Sequence, residues 1–137
     1  MIGPLRMRSN RSMGLIQGVV GGLLAGAALA EGGFVAMTLA LALLWSAIRF
    51  PLAAFLWGGS AVLLSHRWLL SLHPLDWLGV PLPLSLPITI SIWLFCGVFA
   101  GSLVAIWAVL GQCVVLARLR EGSVREKTFY VFFMASL

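Results

Sequence analysis

Long charge-free apolar runs alternate with short polar breaks along the chain, and that rhythm predicts its elements. Spanning hydrocarbon takes about 20 apolar residues in a helix that rises about 1.5 Å per residue. Four complete runs of suitable length occur, at residues 12–30, 32–48, 51–68 and 88–117, and a fifth apolar run occupies 128–137. The pattern predicts an all-α fold, a polytopic transmembrane helix bundle with four full spans plus a truncated fifth. Arg11, Glu31 and Arg49 bound the first two runs. Leucines together with Phe34, Val35 and Ile48 give the second run about −3 kcal/mol of insertion free energy, which one arginine at mid-membrane would cancel. Arg49 is therefore expected at the end of its helix, snorkelling to the interface, and Glu31-Gly32-Gly33 is expected to form a tight turn.

The third run opens with Pro51, a residue suited to the first turn of a helix. Residues 66–87 then bring His66, Arg67 and Trp68, followed by Pro74, Pro81, Pro83 and Pro87. Proline lacks an N–H and clashes with the preceding turn, so this stretch is expected to be a loop rather than regular helix. Trp68 and Trp77 suit the aromatic belt of a membrane face. The run 88–117 would be about 45 Å long as a helix and must tilt or project beyond the hydrocarbon.

Composition sharpens this picture. Of 137 residues, 61% are apolar and 9% charged, and the mean hydropathy is +1.07, which excludes an ordinary soluble domain and a disordered chain alike. The net charge of +5 could suggest a nucleic-acid partner on a soluble protein. Here the charges fall between apolar runs, so they read as topology and no nucleic acid is expected. With a cytoplasmic N-terminus, eight Lys and Arg fall inside and only Arg67 outside. That split places the 66–87 loop on the extracytoplasmic face of the membrane. Arg6 to Arg11, the apolar stretch after them and Ala28-Leu29-Ala30 also resemble a cleavable signal peptide. The length of that stretch and its glycines argue for a retained helix.

Those glycines, Gly14, Gly18, Gly22 and Gly26, recur every fourth residue and form a small-residue ridge against which another helix can pack. Gly97 and Gly101 read the same way. Soluble-enzyme constellations such as a phosphate-cradling loop, HExxH, GxSxG or paired carboxylates are absent from the sequence. Cys96 and Cys113 lie in an apolar run, where hydrocarbon disfavours the reactive thiolate, and read as packed residues. No metal site and no cofactor are expected, because His66, His73 and Asp76 match no ligand spacing. The polar loop is where chemistry could gather. Arg67, Trp68, His73, Asp76 and Trp77 are the interfacial candidates, read either as a lip for phospholipid phosphates or as an Arg67–Asp76 ion pair with depth-setting anchors.

Phe55-Leu56-Trp57-Gly58, His66-Arg67-Trp68 and the stretch from Leu72-His73-Pro74-Leu75-Asp76-Trp77 to Pro87 resemble the N-terminal membrane part of bacterial apolipoprotein N-acyltransferase, in its cyanobacterial form. The resemblance extends over essentially the whole chain. It implies a polytopic inner-membrane enzyme that moves an acyl chain from a phospholipid to the N-terminal diacylglyceryl-cysteine of a lipoprotein. In that family a cysteine thioester forms in a nitrilase-like domain, aided by a glutamate and a lysine. A covalent intermediate divides one transfer into two, and a membrane platform holds both lipid substrates at one depth. Neither Cys96 nor Cys113 matches the family nucleophile, and the nitrilase-like domain is absent from this sequence. The chain is thus expected to be an N-terminal fragment, inactive alone, with membrane phospholipid as its partner and a lipoprotein substrate only in the full-length enzyme. The alternatives are a stand-alone scaffold or accessory subunit docking through the glycine ridge, and a small channel. The channel reading calls for ionisable residues at mid-membrane, which the four complete runs lack.

Overall fold

The computed structural model describes residues 4–121, and side chains within 11–117. Four α-helices follow one another: α1 (Pro4–Glu31), α2 (Phe34–Ala47), α3 (Pro51–Ser65) and α4 (Leu82–Glu121). Two short 3-10 turns, Arg67–Leu72 and Asp76–Leu78, fill the connection between α3 and α4. Among the described residues there is no strand. The fifth apolar run, 128–137, lies outside them.

The breaks follow local chemistry. Gly32 adopts φ +75°, a left-handed conformation that costs glycine little. Its N–H and that of Gly33 both return to the Ala28 carbonyl, at 2.8 and 3.2 Å, so the last turn of α1 closes on itself and the chain reverses at once. Pro51 is the first residue of α3, where its missing N–H would have been unpaired in any case.

Two expectations are corrected. The proline-rich segment is not loop throughout, since α4 begins at Leu82 and carries Pro87 inside it. Pro83 lies in the first turn, where no internal N–H bond is due, so Pro87 alone removes a helical bond. Ser91 Oγ donates to the Pro87 carbonyl at 2.7 Å and Thr89 Oγ1 to the Ser85 carbonyl at 2.9 Å, which ties polar side chains into this irregular turn. With 40 residues, α4 is about 60 Å long. The helix α1 also starts earlier than its apolar run, at Pro4, because the polar residues before Ser12 are compatible with helix even though they delimit the hydrocarbon.

The bundle is organised around α3. Gly14 faces Phe50, Gly18 faces Ala53, and Gly26 faces Ala61 and Leu64, so α1 and α3 run in the same direction. Gly101 faces Phe55, and Gly97 faces Leu63, so α4 runs against α3 on its other side. The helix α2 packs chiefly on α1. Buried apolar positions are small: Ala25, Ala40 and Ala61 form one cluster, and Ala54 and Ala108 join Leu44 in a second. Large side chains face outward instead, with Phe34 84% and Phe95 68% exposed. This inverts the arrangement of a water-soluble core. It is the packing of helices in lipid, where close backbone approach rather than expulsion of water holds the bundle together.

Hydrogen bonds between helices reinforce that approach. Trp57 Nε1 donates to the Ala40 carbonyl at 3.0 Å, Trp93 Nε1 to Leu63 at 2.9 Å, and Gln112 Nε2 to Ile48 at 2.8 Å. Each such bond contributes about 0.6–2 kcal/mol in a bilayer.

Candidate membrane-interface site

The charged side chains among residues 11–117 are Arg11, Glu31, Arg49, Arg67 and Asp76, and they gather at the two ends of the bundle. Arg11 lies one turn before Gly14, which packs at the level of Phe50, so Arg11 and Arg49 share one end. Glu31 lies beyond Gly26, at the level of the α3 end, together with Arg67 and Asp76. From Arg11 to Glu31 the helix covers about 30 Å, the thickness of a hydrocarbon core. The bonds of Gln112 to Ile48, just past α2, and of Trp93 to Leu63, near the end of α3, define nearly the same slab, about 28 Å along α4.

The connection between α3 and α4 forms the more elaborate end. The helix α3 stops at Ser65, and His66 closes it with its N–H on the Val62 carbonyl at 2.9 Å. Ser65 Oγ and His66 Nδ1 are 2.9 Å apart, and the His66 ring lies 6.5 Å from that of Trp68. Arg67, Trp68, Asp76 and Trp77 are all exposed. Arg67 and Asp76 form no ion pair: Asp76 Oδ1 instead accepts the Trp77 N–H at 3.0 Å, at the start of the second 3-10 turn. Arg67 and the rings of Trp68 and Trp77 are thus left facing outward.

His73 is placed differently. It is half-buried, and its Nδ1 lies 2.8 Å from Ser85 Oγ on the first turns of α4. The same hydroxyl accepts the Leu75 N–H at 2.7 Å. Ser85 has no exposed surface and Leu75 only 6%, so one buried hydroxyl fastens the loop to α4 at two points. Sequence reasoning missed Ser85. The available signal was a single hydroxyl among Leu84, Leu86 and three prolines, a polar residue with no reason to be there unless it bonds.

The glycine candidates are spent inside the chain. A Cβ on Gly18 would strike the Ala53 carbonyl, and one on Gly22 would strike Ser60 Oγ and the Trp57 carbonyl. Cys96 is half-buried and Cys113 exposed on α4. Among the described residues no three of His, Cys, Asp and Glu gather as a metal site would require.

Known proteins give the geometry a setting. No family model matches, and no solved structure matches. A curated apolipoprotein N-acyltransferase of Prochlorococcus marinus (strain MIT 9313) is 56% identical over 131 residues, 96% of this chain and 26% of that protein. The one from a second strain of P. marinus, SARG, is 45% identical over the same shares. That of Parasynechococcus marenigrum (strain WH8102) is 52% identical over 115 residues, 84% of this chain and 24% of its own. Over most of its length the chain is homologous to one part of these apolipoprotein N-acyltransferases. It spans about a quarter of the length of the curated relatives it matches. Among the described residues two helical stretches, Arg11–Glu31 and Leu82–Ala117, are long and apolar enough to cross a membrane. Only 17% of the most apolar window of the second is buried in the bundle, unlike the core helix of a soluble protein. With relatives in a membrane enzyme family, the chain is a membrane protein.

Proposed function

We propose that this chain is a multi-pass membrane platform of an apolipoprotein N-acyltransferase, with its N-terminus in the cytoplasm and the 66–81 loop on the extracytoplasmic face. In this reading all four helices cross the inner membrane. Arg67 binds phospholipid phosphate through charge-assisted hydrogen bonds, and Trp68 and Trp77 hold the loop at head-group depth. The reaction served is the one named in the relatives, transfer of an acyl chain onto the amino terminus of an apolipoprotein, with phospholipid as donor. Acyl transfer through a thioester needs a thiolate beside acid–base groups. Among the described residues Cys96 and Cys113 belong to no group of three His, Cys, Asp or Glu, and in this reading the platform orients lipid and does not itself accept the acyl chain.

The observation that carries this reading is the confinement of charge to two planes about 30 Å apart, with large apolar side chains exposed between them. The positive-inside count assigns the Arg11 and Arg49 plane to the cytoplasm. A scaffold docking through the Gly14 to Gly26 ridge would first have to displace α3, which fills it.

Single-cysteine variants of a Cys96→Ala, Cys113→Ala chain test the topology. A membrane-impermeant maleimide applied to intact cells with a permeabilised outer membrane is expected to label Trp77→Cys and to spare Arg49→Cys. The reverse pattern would sink the proposal.

A further inference from the structure

The helices of the bundle differ in apolar length. The stretch Leu82–Ala117 of α4 has 36 residues and is about 54 Å long, against a hydrocarbon thickness of about 30 Å. Tilting α4 by itself does not absorb the surplus. Gly59 lies against the Gly97 carbonyl and Gly101 against that of Phe55, so four residues along α3 match four along α4 and the two helices stay close to antiparallel. Tilting the bundle as a whole would carry Arg11 and Glu31, which bound the apolar part of α1, into hydrocarbon. The surplus falls mainly at the loop end. From Gly59, α3 runs about 9 Å to its last residue, Ser65, whereas from Gly97, α4 runs about 22 Å to Leu82. The helix α1 reaches Glu31 about 8 Å beyond Gly26, which faces Ala61. The first turns of α4 thus stand about 13 Å past the end of α3.

Side chains on those projecting turns are arranged for an apolar surrounding. Ser85 and Thr89, one turn apart, have 0% and 2% exposure, while Leu82, Leu84 and Leu86 are 64%, 56% and 48% exposed. Water would select the reverse. Trp77, 68% exposed, lies two residues from Leu75, whose N–H is bonded to Ser85. An exposed indole therefore marks the same level of α4. Indoles gather at the boundary between hydrocarbon and head groups, and a boundary at that height accounts for the leucines below it as well as for the tryptophan.

We infer that the bilayer hydrocarbon rises along the first turns of α4, about 10 Å higher there than beside α1 and α3, so that this flank fits a bilayer thicker than average. The partner is the bulk bilayer and not a lipid held in a site. The inference rests on the membrane-spanning reading proposed above, though not on which face of the membrane the loop occupies.

The 137-residue chain with Cys96→Ala, Cys113→Ala and Leu86→Cys is labelled with bimane at position 86. It is reconstituted into phosphatidylcholine vesicles whose monounsaturated chains run from about 14 to about 22 carbons, which varies the thickness. Brominated acyl chains quench the label from the hydrocarbon and iodide from water. In the thicker vesicles the label is expected to lose its quenching by iodide and to be quenched by brominated lipid as strongly as one on Phe99→Cys, an exposed position midway along α4. Iodide quenching that persists in the thickest bilayer would overturn the inference, and so would a label that neither quencher reaches, the mark of a protein cover. The native tryptophans give a second measurement, since their quenching in mixtures with brominated lipid reports the relative affinity of the chain for each chain length. Affinity should be greatest for bilayers thicker than about 30 Å. Leu82→Ser with Leu86→Ser, helix content unchanged by circular dichroism, should move the optimum to thinner ones. An optimum at about 30 Å in the unaltered chain, or one that the two serines leave in place, would overturn it too. Failure of the underlying reading shows separately. A chain lying outside the bilayer would lose lipid quenching at Phe99→Cys as well, and an inverted topology would exchange the maleimide reactivity of Trp77→Cys and Arg49→Cys while leaving both quenching results as they are.

Discussion

The α1–α3 seam and the outer face of α4 are both apolar and both helical, yet they respond to opposite rules. In the seam, backbone meets backbone: Gly18 lies against the Ala53 carbonyl and Gly22 against Trp57 and Ser60, with no room for one added carbon. On the outer face, Phe95 and Phe99 stack with centroids 6.1 Å apart, and Leu103, Trp107 and Leu110 stand more than half exposed. Lipid tails are as apolar as leucine, so burying a large side chain in this bundle gains little, whereas bringing two backbones together gains dispersion contacts along their whole length. Size, rather than hydrophobicity, separates inside from outside.

The strongest way to break that contrast is to add volume to each region. Gly22→Leu should destabilise the bundle by about 3 kcal/mol or more, because the obstacles include a main-chain carbonyl that cannot swing aside. Gly111→Leu, with nothing within 4 Å of its added Cβ, should leave stability unchanged or slightly raised, as glycine is a poor helix former. Unfolding in mixed micelles, followed by circular dichroism, compares the two, and equal losses would refute the seam. A smaller effect is expected at the loop. Ser85→Ala leaves the buried Leu75 N–H without its acceptor and should cost about 1–3 kcal/mol, read as faster proteolysis between residues 72 and 81 with the helices intact. The smallest belongs to the outer face: Phe99→Leu should change stability by less than about 0.5 kcal/mol in a bilayer. A large loss there would mean that protein, not lipid, covers that side of α4.

Much of the layout is legible in the sequence because its causes are local. Arg11, Glu31 and Arg49 mark the ends of the apolar runs, Gly32 and Gly33 turn the chain, and Pro51 opens α3. The candidate site is legible only in part. Arg67, Trp68 and Trp77 are recognisable as surface groups by residue type alone. The choice between an Arg67–Asp76 pair and an outward-facing arginine is not, since it depends on Asp76 turning to its own neighbour's N–H.

By itself the sequence determined how many long apolar segments there are, where they stop, and which end of each carries charge, because transfer of a side chain into hydrocarbon is a property of that side chain. Tertiary structure decided which segments touch. The glycine ridge of α1 specifies a close neighbour without naming it, and only the fold shows that α3 is the neighbour and that α2, next in the chain, stays to one side. It likewise decided that Pro87 lies within a helix and that Ser85 holds His73 and Leu75. A hydrogen bond between residues ten or more apart depends on where the chain has brought them, and residue type alone does not carry that information.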